Sequence, residues 1–338
     1  MKFNIDILEK YLNDKLLQRQ NHPDLPLLIW NYAPKVQYER LWDDITLKCR
    51  ALITNYEGEV VAKSFDKFFN IEEVKDLPNE KFQIYEKMDG SLIVFFWLDN
   101  ELVVSSKGSF TSEHAIEAKK ILQKYDLSKF DKSKSYSAEL IAPWNRIVCN
   151  YGNEEKLVLL AKFDKFGNEY EIDKYKNEIE IVKRYDIFDL ENIKSLIKDE
   201  QEGFVVKFDS GYRVKVKGSE YIRLHKIVTE ISEKVIFEYL SEGQNIENLI
   251  EKVPDEFYNW VKSVENKFSN SYKSILNECK SVYRELEDRK ETAKYFLNQK
   301  YPDILFKMLD KKQFEKLIWK NVKRECLSNE ENIERHSL

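Results

Sequence analysis

"EGFVVKFDSGYRVKVKG", residues 202–218, decides how the chain folds. Residues 204–208 and 212–217 are two apolar, β-branched runs joined by a polar turn with one glycine, the pattern of an antiparallel hairpin. "FFWLDNELVVS" (95–105) and "AKFDKFGNEYEI" (161–172) repeat it. Strand-like runs at 92–97, 102–106 and 157–163 complete the set, so antiparallel sheets are expected rather than βαβ units. Eight of the nine glycines fall at or before Gly218 and only Gly243 comes later, so the chain changes character near residue 220. The pattern predicts an α+β region over 1–220 and an all-helical region over 221–338. Helices are expected at 4–18, 112–125 and 189–198 within the first region, the second capped by Thr111 or Ser112. In the second region Phe257, Val261, Val264, Phe268, Tyr272, Ile275, Cys279, Val282 and Leu286 recur at helical steps and predict one long amphipathic helix. "FKMLDKKQFEKLIWKNVKRE" (306–325) predicts a helix with a basic face of Lys307, Lys311, Lys312, Lys316, Lys320, Lys323 and Arg324; the tail from Ser328 reads as frayed.

Composition narrows the function classes. At 42% hydrophobic and 34% charged residues, the 338-residue chain is too apolar for disorder and too charged for a membrane protein. The N-terminus reads as neither a signal peptide nor a membrane anchor, which gives a cytoplasmic expectation. Cys49, Cys149, Cys279 and Cys326 lie far apart and imply no zinc site or disulfide framework. The net charge of −5 says nothing about nucleic acid until the lysines are located.

Chemistry is carried by short stretches. In "YEKMDGSLIV" (85–94), Lys87 precedes Met88, Asp89 and Gly90 between strand-like runs, and the glycine reads as backbone freedom for a sharp turn plus a bare surface for a phosphate. Alone, the stretch fits a polar turn as well as a site. Downstream, "SAELIAPWNRIV" (137–148) carries Glu139, "EGFVVKF" carries Glu202, and Lys215 and Lys217 stand two apart, hence on one face of a strand.

Together these segments resemble the covalent nucleotidyltransferase superfamily, most closely the RNA ligases of the bacteriophage T4 RNA ligase 1 type. The resemblance spans about residues 30–217, with "EKMDGS", "AELIAPWNRIV", "LVLLAKF", "EGFVVK" and "VKVK" standing in the family's order. Upstream, "LKCRALIT" and "VVAKSFDKFFN", and then "SSKGS", are similar to further family segments. The resemblance implies that unprotonated Lys87 attacks the α-phosphorus of ATP to give a covalent lysyl-AMP. It implies Glu139 on the ribose hydroxyls, Glu202 orienting Lys87, and Lys215 and Lys217 on the α-phosphate. Arg50 and Lys107 would steer pyrophosphate, and Glu86, Asp89 and Gly90 would line the nucleotide pocket. Mg2+ or Mn2+ would sit at Glu202 and Asp89. Phe163 is offered for adenine stacking, with core packing as its alternative. The AMP would pass to an RNA 5′-phosphate and be displaced by a 3′-hydroxyl, with nicked tRNA as a substrate and a monomer as the acting form. Two departures stand out: Met88 follows the lysine, and "CRA" has Ala51 where a glycine is expected after Arg50.

Rival readings remain. DNA ligases and capping enzymes share Lys-x-Asp-Gly, but a β-barrel follows their last motif, and here helix follows. A catalytically inactive RNA-binding module of the same fold would not require Lys87, Glu139, Glu202, Lys215 and Lys217 together. The helical region is expected to supply RNA specificity, with Trp319 beside the basic residues either exposed to RNA or packed inward.

Overall fold

The computed structural model describes residues 1–175, 178–228, 231–250 and 257–327. The chain divides into two compact units, Met1–Val228 and Thr229–Leu338. In the first, helix α1 (Ile5–Asn13) leads into β1 (Leu17–Asn21), β2 (Leu27–Tyr32), helices α2 (Pro34–Glu39) and α3 (Asp44–Lys48), β3 (Arg50–Asn55) and β4 (Val60–Ala62). These four strands form an antiparallel sheet in sequence order. There follow β5 (Phe69–Asn70), β6 (Phe82–Lys87), β7 (Ser91–Leu98), β8 (Glu101–Ser106), α4 (Glu113–Leu122), β9 (Ser135–Ile141), β10 (Lys156–Phe163), β11 (Glu169–Tyr170), β12 (Arg184–Tyr185), β13 (Gly203–Phe208), β14 (Arg213–Lys217) and α5 (Ser219–Val228). They build two five-stranded sheets, ordered β11-β10-β9-β7-β8 and β12-β6-β13-β14-β5. Among the described residues every pairing between these strands is antiparallel except β14 with β5, and an isolated parallel bridge joins Leu159 to Ile181.

The apolar run of β7 shows why the sheets stack. Successive side chains point to opposite faces. Ile93 and Phe95 pack with Tyr136, Leu140 and the Ala118 and Leu122 face of α4. Val94 and Phe96 pack with Ile29, Ile53 and Ala62 of the first sheet. In the third sheet the alternation is split by chemistry: Phe204, Val206, Phe208, Val214 and Val216 bury on one face with Ile84, which sends Lys215 and Lys217 to the other.

Several expected helices are corrected. The helix predicted at 4–18 stops at Asn13, Lys15 turns left-handed at φ 58°, and Leu17 opens a strand. Over 189–198 only a single 3-10 turn forms, Ile193–Leu196, because the Asp189 carboxylate accepts from Glu191 N and Asn192 Nδ2 and caps a local turn instead. Ser112 caps α4 by accepting from Ala115 N at 3.3 Å.

The second unit contains α6 (Glu233–Ser241), α7 (Ile246–Ile250), α8 (Tyr258–Val282), α9 (Arg289–Leu297), α10 (Pro302–Leu309) and α11 (Glu315–Leu327). Helix α8 buries Val261, Val264, Phe268, Ile275 and Cys279, as its spacing predicts, but it ends at Val282, where Tyr283 turns extended, so the predicted Leu286 lies beyond it and is exposed. The basic helix predicted over 306–325 is two helices, with Lys311 left-handed at φ 53° in the break. Trp319 packs inward, edge-on to Phe237 at 5.7 Å and 4.9 Å from Tyr272. The tail from Ser328 lies outside the described residues. No described helix is long and apolar enough to cross a membrane.

Candidate active site

Strand register assembles the lysines. Lys87, the last residue of β6, pairs with Gly203 of β13, which pairs with Lys217 of β14. Directly paired residues share a face, so the two lysines stand in one row across three strands with a glycine between them. Gly203 is obligatory: its φ is +150° and a Cβ would lie 2.0 Å from Val216 O. Glu202, just before it, is buried and is fixed by Gly218 N donating to its carbonyl at 2.9 Å. Lys87 Nζ donates to Glu202 Oε2 at 2.7 Å, and Lys217 Nζ stands 3.5 Å from Oε1. Lys215 shares the face of Lys217 and is equally buried at 8% exposure. Burying cations at this density is tolerable only with an anion among them. Glu202 is that anion.

Glu139 comes from the neighbouring sheet, on β9 opposite Leu92 of β7. Burial pushes its carboxyl up to about 7, with Glu202 and Asp89 reinforcing the rise and Lys87 and Arg50 opposing it. Among the described residues its carboxylate has no hydrogen-bond partner. Gly90 explains the closeness of β9, and here the sequence reading is corrected. A Cβ on Gly90 would lie 2.4 Å from Leu140 O and 3.1 Å from Glu139 Cγ, and its backbone is not left-handed. The glycine admits the protein's own strand rather than a phosphate.

Asp89 and Glu86 are also corrected. Asp89 Oδ2 accepts from Val148 N at 2.8 Å and Cys149 N at 2.7 Å, and Oδ1 accepts from Tyr221 OH at 2.8 Å. Tyr151 OH accepts from Asp89 N at 2.9 Å. This carboxylate is a structural clamp, not an open metal ligand. Glu86, next to Lys87 on the strand, faces the other way and accepts from Tyr185 OH at 3.1 Å. Among the described residues no three acids, cysteines or histidines gather for a metal.

Arg50 opens β3, and its charge reaches Glu139. The missing glycine has left its backbone behind: Ala51 is left-handed at φ 53°, in a bulge where Leu52 pairs with Trp30 and Arg50 with Asn31. Arg50 Nη1 is buried with no hydrogen-bond partner among the described residues, and its guanidinium lies 5.8 Å over the Phe68 ring. Lys107 Nζ lies 5.2 Å over the Tyr32 ring. Lys67, inside the quoted "VVAKSFDKFFN" but not singled out there, lies 5.7 Å over the same ring and 5.3 Å over Trp42. Phe163 is not brought to Glu139, and the cation over its ring is Lys63, at 5.8 Å. Phe163 pairs with Ser135 while Glu139 pairs with Val158, five residues along β10 and therefore ~17 Å away. It is buried edge-on against Phe65 at 5.4 Å, the core role that stood as its alternative.

The RNA ligase family matches residues 48–221, just over half of the chain. The chain belongs to the RNA ligase family. This family member is 27% identical over 256 residues to a protein of Autographa californica nuclear polyhedrosis virus named as a bifunctional polynucleotide kinase/RNA ligase, covering 64% of the chain and 36% of the relative. It is 27% identical over 194 residues to a protein of Thermovibrio ammonificans named as an RNA ligase, covering 51% of each. The chain thus spans between about a third and a half of the length of the curated relatives it matches. Among solved structures, an archaeal ATP-dependent RNA ligase superposes with a TM-score of 0.49 at 15% identity, over 86% of this chain and 85% of that one. A mutant Naegleria gruberi RNA ligase with ATP and Mn superposes with a TM-score of 0.38 at 17% identity, over 46% and 54%.

Proposed function

We propose that the chain is an ATP-dependent RNA ligase that works through a covalent adenylate on Lys87. The observation that supports this most is the Lys87–Glu202–Lys217 row with the partnerless Glu139 beside it. The residues fit a nucleotide triphosphate. Glu139 is an acceptor for sugar hydroxyls, Lys215 and Lys217 are donors for the α-phosphate, and Arg50, Lys67 and Lys107 supply positive charge for the outer phosphates. Lys87 Nζ forms a bond to the α-phosphorus as pyrophosphate leaves, and the lysine's proton passes to Glu202 at 2.7 Å. Glu202 is the carboxylate at this row that would hold Mg2+ or Mn2+ through water, and the cation would shield phosphate charge. The lysines keep their grip on the phosphate while the AMP moves to an RNA 5′-phosphate and a 3′-hydroxyl then displaces it.

Family membership supports RNA as the substrate class, and nicked tRNA is the example favoured by the sequence resemblance. We assign the first unit the adenylyl chemistry and the helical unit the RNA contacts, through the basic residues of α10 and α11. The test is strand sealing with ATP and Mg2+ on 5′-phosphorylated single-stranded RNA, nicked duplex RNA and nicked DNA. Sealing of an RNA substrate is expected; if nicked DNA is sealed best, the RNA ligase reading is wrong.

A further inference from the structure

We infer that Trp144, flanked by His114 and Arg146, is a stacking platform for a base of single-stranded RNA beside the joining end, an inference that rests on the ligase reading. Trp144 is 42% exposed, in a chain that buries Trp30 completely. It sits in the 3-10 turn Pro143–Asn145, immediately after the strand that carries Glu139. The turn is held from several sides. Asn145 Nδ2 donates to Leu140 O at 2.8 Å, and Asn145 Oδ1 accepts from Ser91 Oγ at 3.0 Å and lies 3.0 Å from His114 Nε2. Trp144 Nε1 donates to Glu155 Oε1 at 3.1 Å, which fixes the indole by its edge. The His114 ring lies 5.6 Å away at 47°.

A rigid aromatic left open to solvent loses little freedom when a base stacks on it, and stacking accepts any base. Ser91, which anchors the turn, is four residues past Lys87, at most ~14 Å of chain. Arg146 is exposed and uses Nε on Val148 O at 3.3 Å. Its remaining N–H groups have no protein acceptor among the described residues and suit a phosphate. The platform therefore offers a ring for a base and a cation for its phosphate, on the turn that Ser91 ties to the strand following the proposed nucleophile.

The test uses the full chain and fluorescence anisotropy with a short 5′-phosphorylated single-stranded RNA, without ATP. Trp144→Ala should raise Kd ~10-fold and Trp144→Phe should stay within about threefold of wild type. Arg146→Gln should reduce the slope of log Kd against log salt by ~0.7. Wild-type RNA affinity in Trp144→Ala, or equal losses in the Ala and Phe variants, would overturn the platform. Self-adenylation is measured separately without RNA and should be the same in Trp144→Ala and wild type. A protein that binds RNA through Trp144 but takes no adenylate breaks the ligase reading alone. One that takes adenylate but binds RNA equally well without Trp144 breaks the platform alone.

Discussion

The loop around Asp89 and the end of β9 around Glu139 meet at the same corner of the sheets, and the two acids there are treated oppositely. Asp89 is surrounded by donors, two backbone N–H groups and the Tyr221 hydroxyl. Glu139 stands half-buried beside it with no hydrogen-bond partner among the described residues, and desolvation pushes its carboxyl up to about 7. An acid whose oxygens are all taken by protein donors holds the fold together; one with none keeps its oxygens open to a ligand. The contrast separates a motif residue that builds the site from one placed to act in it.

The largest expected effect comes from breaking the satisfied side. Asp89→Ala strands two backbone donors and a buried hydroxyl, and should destabilise the first unit by about 3 kcal/mol or more, read from the urea midpoint. A loss below 1 kcal/mol would mean that the clamp is dispensable. Glu139→Gln should do the reverse: stability above wild type at neutral pH, with ATP affinity ~10–100-fold weaker, the range for a lost hydrogen bond to a charged group. Calorimetric titration with ATP checks it, and unchanged affinity would remove Glu139 from the nucleotide site.

The same pair differs with pH. Because the folded carboxyl of Glu139 titrates near 7 rather than its ordinary 4.5, the unfolded chain gives up this proton first. Wild-type stability should therefore fall relative to Glu139→Gln as pH rises from about 4.5 through about 7, and the gap should level off above that. Thermal melts across this range read it, and a gap that shrinks with rising pH has the wrong sign. The smallest effect is at Ala51. A buried strand alanine ordinarily loses about 1 kcal/mol on conversion to glycine, but relief of the left-handed backbone offsets that, so Ala51→Gly should be close to neutral. A full 1 kcal/mol loss would deny the strain.

How much of this was legible in the sequence depends on the range of each interaction. The 202–218 hairpin and the β7 run could be read because alternation and turn chemistry are local. The row of Lys87 and Lys217 could be anticipated from residue types, but the register that joins them across Gly203 could not. The strand at Leu17 was hidden because the apolar spacing of α1 runs on past its cap. The helix break at Lys311 left no glycine or proline to mark it. Asp89 read as a ligand because its true partners, Val148, Cys149 and Tyr221, lie 59, 60 and 132 residues away. Gly90 read as space for a nucleotide because the Leu140 carbonyl that needs that space is fifty residues on. Ala51 is the instructive exception: the absent glycine was noted, and the structure shows the left-handed backbone that made it matter.

The central claim is that Lys87 Nζ takes and passes on the adenylyl group at this corner. The direct measurement is incubation with Mg2+ and ATP labelled in the α-phosphate, or the same with GTP, followed by denaturing separation and peptide mapping. The account predicts covalent label from ATP and not GTP, mapped to Lys87 and absent in Lys87→Ala. Label that persists in Lys87→Ala would contradict it.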